Sequence, residues 1–121
     1  MNDSRIIKLL LAVVVFAFIH TNEANASEEL TLSQFKQEVA DLRAENKRIE
    51  KLGCFPKNGK TYFQIERTVK MFGPKKDWQW AVGASLSNKN IEMTKKGYVR
   101  TSLSTVMGKG VKLQCAVWLR K

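Results

Sequence analysis

Residues Thr31–Leu52 read "TLSQFKQEVADLRAENKRIEKL", twenty-two residues without a glycine or proline. Good helix formers dominate, Thr31 with Gln34 three residues on matches a capping box, and Gly53 follows as a stop. Lys47, Arg48 and Lys51 lie towards the end, where positive charge suits the helix dipole. Apolar residues recur at Leu32, Phe35, Val39, Leu42 and Ile49, with Asn46 filling the remaining slot. The steps alternate three and four, so the stretch predicts a heptad helix. Its seam places Leu32, Val39 and Asn46 at a, and Phe35, Leu42 and Ile49 at d. Asn at an a position favours a parallel two-stranded pairing, so a homodimer through residues 31–52 is one expectation. The competing one is an amphipathic helix docked on its own domain.

Upstream, Arg5 and Lys8 precede the apolar run Leu9–Ile19, which is too short for a membrane span of roughly 17–25 residues. Polar residues and "ANA" at Ala24–Ala26 follow, the small-x-small pattern of a signal-peptidase site. Residues 1–26 are therefore expected to be a cleaved signal, which leaves a secreted or periplasmic chain with no transmembrane span. In an oxidising compartment the two cysteines, Cys54 and Cys115, pair by default. The chain-entropy model assigns a loop of that size roughly 4 kcal/mol.

Downstream the apolar period changes to two. In Thr61–Phe72, Phe63, Ile65, Val69 and Met71 share a face interrupted by Arg67, and "GPKKD" at Gly73–Asp77 is a turn. Trp78, Trp80 and Val82 lie on one side of the next short strand. "SNKNIEMTKKG" suits a short helix with Ser87 as N-cap and Gly97 just past the end. Tyr98–Val106 and Val111–Arg120 form a hairpin joined by "MGKG". The fold class expected is α+β. An amphipathic or coiled-coil helix at 27–53 precedes a basic, disulfide-clamped head at 54–121, a small antiparallel β-sheet in ββαββ order with one short helix.

Charge is unevenly spread. Residues 53–121 hold fourteen bases against three acids, Glu66, Asp77 and Glu92, a net of +11. Such an excess favours an anionic partner. In Val111–Arg120, Val111, Leu113, Cys115, Val117 and Leu119 alternate as a buried face. The opposite face presents Lys112, Gln114, Ala116, Trp118 and Arg120, and Arg100, Ser102 and Ser104 of the paired strand are candidates to join it. Trp118 there is either an exposed stacking platform or a core ring beneath the short helix. Trp78 and Trp80, beside Lys75 and Lys76, pose the same choice. The candidate binding surface is Lys75, Lys76, Arg100, Lys112, Trp118 and Arg120.

Catalytic readings find little support. The only histidine, His20, lies in the expected signal, so a thiol nucleophile at Cys115 has no imidazole base. No metal-ligand cluster or nucleotide-binding glycine loop is present in the sequence, so no metal or cofactor is expected. The C-terminal residues Lys96–Lys121 resemble bacterial tandem-repeat modules found beside polyglycine-hydrolase-type domains. The matching positions are Gly97, Tyr98, Ser104, Gly108, Gly110, Ala116, Val117 and Trp118. The chain departs in having one copy and in Cys115. That resemblance implies a structural or binding module. The expected function is non-catalytic binding of an anionic polymer or envelope component: acidic glycan, lipid headgroup or nucleic acid. The alternative is an adaptor of an envelope or secretion complex that docks a protein partner through its helix.

Overall fold

The computed structural model describes residues 28–121; the expected signal at 1–26 lies outside the described residues. The first helix, α1, covers Leu32–Ala44 and carries the capping box at Thr31 and Gln34. It ends eight residues before Leu52. Glu45 caps it, and Asn46 takes φ 57, the left-handed conformation that terminates many helices. Asn is one of the few residues besides glycine that enters this region readily. The turn is tied to the rest of the fold. Asn46 Nδ2 donates to Met71 O at 3.0 Å, and the Met71 N–H donates to Asn46 O at 2.9 Å.

Residues Lys47–Lys57 are therefore strand β1, not helix. β1 pairs antiparallel with β2, Lys60–Lys70, through a two-residue turn with Asn58 and Gly59 both at positive φ. This is the I′ pattern that an Asn-Gly pair specifies in a hairpin. Two bulges explain why the strand looks helical in sequence. Glu50 is an extra residue on β1, and Glu66 is an extra residue on β2 that restores the register. The first lets Ile49 and Leu52, three apart, both face inward, a spacing that otherwise marks a helix. The second coincides with the break in alternation at Arg67.

The expected seam is thus divided. Phe35, Val39 and Leu42 are buried against the chain's own sheets, Ile49 is buried in β1, Asn46 makes the turn, and Leu32 is left 43% exposed. The expected boundary at residue 53 falls inside β1, and α1 belongs to the same core as the strands. Phe35 stacks on Phe63 at 4.4 Å and meets the edge of Trp80 at 4.7 Å. Burying a ring of that size is worth roughly 1.5–3 kcal/mol.

A second, three-stranded antiparallel sheet has the order β3-β5-β4, with β3 at Trp78–Gly83, β4 at Tyr98–Gly108 and β5 at Val111–Arg120. Helix α2, Ser87–Lys95, connects β3 to β4. The order after α1 is therefore βββαββ, one strand more than expected. β4 and β5 are joined by Lys109 and Gly110, again both at positive φ. β5 lies in the centre and is covered on both faces. Cys115 and Val117 face the core built by α1, β1, β2 and β3, and Cys115 forms a disulfide with Cys54 of β1. Ala116 and Trp118 lie beneath α2 with Leu86, Met93 and Tyr98.

The two readings of Asn46 make opposite predictions. In a coiled-coil a position, Asn46→Ile strengthens the chain. Here it forces a β-branched residue into the left-handed region and removes a side-chain hydrogen bond, together about 2–3 kcal/mol. Urea unfolding should show that loss, with Asn46→Gly nearer the parent.

Candidate functional site

The expected binding surface separates once its residues are placed. Trp118 is fully buried, and its Nε1 donates to Asn90 Oδ1 of α2 at 2.9 Å. A sheet face beneath a helix needs a large apolar filler, and the indole finds its one polar partner on that helix. Trp118 is therefore core, not a stacking platform. Trp78 is also buried, while Trp80 is half-buried against Phe35 and Phe63.

Register separates others. Thr101 is a bulge in β4, so Arg100 pairs opposite Trp118 whereas Ser102 and Ser104 pair opposite Val117 and Cys115. The two serines thus turn to the core side, where Ser102 Oγ accepts the Leu52 N–H at 3.1 Å. Arg100 remains exposed. Lys112 and Arg120 lie at opposite ends of β5, about 26 Å apart for eight residues of extended chain. Lys112 belongs with the hairpin turns at Asn58–Gly59 and Lys109–Gly110, which border a cleft of about 580 Å³.

The other end of the molecule gathers far more charge. β1, β3 and β4 begin there, and β2 and β5 end there. This brings Arg48, Lys70, Lys75, Lys76, Arg100 and Arg120 to one pole. None of these six forms an ion pair with a carboxylate among the described residues. The acids nearby are engaged elsewhere: Glu45 with Lys47 at 3.3 Å, Glu50 with Arg67 at 3.0 Å, and Asp77 with Arg43 at 3.7 Å. A cleft of about 330 Å³ in the pole is lined by Arg48, Glu50, Val69, Lys70, Met71, Phe72, Pro74, Lys76 and Leu119. Phe72, 86% exposed, stands in the loop beside it.

Asp77 fixes the loop to the sheets. Its carboxylate accepts hydrogen bonds from the Tyr98 hydroxyl and from Gln79 Nε2, the latter at 2.8 Å. Its carbonyl accepts the Arg120 N–H at 2.9 Å. Arg43 adds a hydrogen bond to Trp78 O at 2.9 Å and lies over the Trp78 ring at 4.5 Å. Burial tends to raise the Asp77 carboxyl. The Tyr98 and Gln79 hydrogen bonds, the Arg43 charge and the Trp78 N–H outweigh it, and the acid lies below the ordinary aspartate range. Donation to Asp77 likewise pushes the Tyr98 hydroxyl up.

Sequence reasoning selected Lys75, Lys76, Arg100 and Arg120 and missed Arg48, Lys70 and Phe72. Arg48 was assigned to the helix, and Phe72 to the alternating strand. The signal for the loop was present in "KMFGPKK", Lys70–Lys76, an aromatic next to a glycine-proline turn between basic residues. No protein-family model, curated protein or solved structure matches this chain.

A lowered Asp77 acid contributes stability that is fully present above the unfolded value near 3.9 and is lost as pH falls through the folded one. Asp77→Asn should therefore lower stability at neutral pH and flatten the acid limb of the unfolding curve. Thermal denaturation between pH 2 and 7 measures both.

Proposed function

We propose that this chain is an exported, non-catalytic binding module that holds a polyanionic or cell-envelope partner at the basic pole. The observation that supports this most is the concentration at one end of a small domain of six cations that no described carboxylate pairs, Arg48, Lys70, Lys75, Lys76, Arg100 and Arg120, the last of them set over the Tyr98 ring. Cations that belong to the fold's own ion pairs are neutralised locally. These are not, and their fields add over the distance allowed by screening, about 8 Å at physiological ionic strength.

The arrangement suits repeated anionic groups better than a single buried one. The bases come from four strands and one loop, so they spread over a surface. Lys75 and Lys76 sit on the loop that Asp77 anchors, on long side chains that reach outward. Arg100 and Arg120 are carried on paired strands, which fixes their spacing. Planar guanidinium groups on rigid backbone favour bidentate contact with phosphate, sulfate or carboxylate. The disulfide and the absence of a free thiol among the described residues accord with an oxidising compartment.

Heparin resin and a salt gradient test this reading. The Lys75→Glu/Lys76→Glu variant should elute at clearly lower salt than the parent. A control with the same change in charge at the opposite end, Lys109→Glu/Lys112→Glu, should shift much less. Equal shifts for the two pairs mean that net charge alone is responsible, and the pole is then not a site.

A further inference from the structure

We infer that the basic pole is a membrane-interface site, with Phe72 as the apolar anchor and the surrounding cations as seats for anionic lipid headgroups. This rests on the anion-binding reading of the pole and names the partner as a lipid surface.

Three observations point the same way. The first is Phe72 itself. It is the most exposed large hydrophobic side chain among the described residues, at 86%, and the only aromatic ring so presented. It sits in a loop between Lys70 and the pair Lys75 and Lys76, with Gly73 at φ 81 and Pro74 reversing the chain beside it. A ring projecting among lysines matches the chemistry of a bilayer boundary, where apolar groups enter the acyl region and amines remain at the phosphates.

The second is the cleft next to the ring. Its lining mixes apolar side chains, Val69, Met71, Phe72, Pro74 and Leu119, with ionic ones, Arg48, Lys70, Lys76 and Glu50. Glu50 is held by Arg67, so the net character is cationic. An acidic headgroup with the first methylenes of its chain has this same mixture. A purely polar polymer such as a nucleic acid or glycan leaves the apolar side chains unused.

The third is Arg48. Arg48 is half-buried, and its Nη1 is shut off from solvent with no hydrogen-bond partner among the described residues. A cation that has lost part of its hydration without gaining a carboxylate attracts an anion at the cleft more strongly than a fully solvated one. No helix among the described residues is long and apolar enough to cross a membrane.

Phe72→Trp in the full chain provides a local reporter. The three native tryptophans, Trp78, Trp80 and Trp118, all lie outside the apolar leader, which therefore adds no emission of its own. With vesicles of phosphatidylglycerol and brominated phosphatidylcholine, the added emission should shift to the blue and be quenched. With purely zwitterionic brominated vesicles, which the leader meets equally, it should not. Arg48→Gln or Lys76→Gln should weaken the response about fivefold each. Phe72→Ala should weaken sedimentation with the anionic vesicles about tenfold relative to its own zwitterionic control.

Equal quenching in both vesicle types overturns the inference, as does none in either. Saturation of the spectral shift by soluble glycerol phosphate alone also overturns it, since the ligand is then a free phosphate group. Loss of heparin retention in Lys75→Glu/Lys76→Glu without any vesicle response leaves the anion-binding pole standing and removes the lipid surface.

Discussion

The disulfide between Cys54 and Cys115 joins two sheets that share no backbone ladder among the described residues. β1 belongs to the two-stranded sheet and β5 to the three-stranded one, and their meeting point is the centre of the main core. Around it side chains pack together, the Leu52 N–H reaches Ser102 Oγ, and Cys115 Sγ lies 3.8 Å from Leu52 O. A hairpin alone is marginal in water, and so is a three-stranded sheet with two bare faces. The bridge holds each against the other at one point, with Cα atoms 6.1 Å apart. It also closes a loop of about sixty residues in the unfolded chain. Everything else in the layout follows from β5. Its first face is covered by the hairpin and α1, and its second face by α2.

That layout leaves little room for function inside the molecule. The aromatic residues that looked available, Trp78 and Trp118, are buried within the two cores that flank the three-stranded sheet. What remains outside is charge. The antiparallel order sends the starts of three strands and the ends of two to the same pole, and each boundary brings a basic residue with it. Asp77, anchored by Tyr98, Gln79 and Arg43, keeps the β2–β3 loop against the sheets, so Lys75, Lys76 and Phe72 are presented from a fixed base. The same carboxylate that stabilises the fold thus positions the loop proposed to bind.

Much of the architecture was legible because local chemistry and tertiary need agreed. β5 occupies Val111–Arg120 as its alternation indicates, a short helix follows β3, and the cysteines pair, although Ser87 is the first helical residue and the N-cap is Leu86 with no side-chain cap bond. The N-terminal part misled for a definite reason. Two apolar patterns, one helical and one bulged, meet at Asn46 without a glycine or proline to mark the change. The Glu50 bulge then imitates a helical step between Ile49 and Leu52. Asn58–Gly59 carried a hairpin signal that a helix ending at Leu52 left without a preceding strand. Ser102 and Ser104 were likewise misplaced by one extra residue, Thr101.

From the sequence alone come the cationic excess of residues 53–121, the period-two strands and the pairing of two cysteines, since each depends only on residue type and spacing. Tertiary structure decided the rest. It turned Asn46 from a seam residue into a helix terminator, because the chain had to reverse to lay β1 over β5. It buried Trp118, because a central strand needs both faces covered. And it collected Arg48, the Lys70–Phe72 segment and Arg120, far apart in the chain, at one end, because antiparallel strands bring alternate termini together.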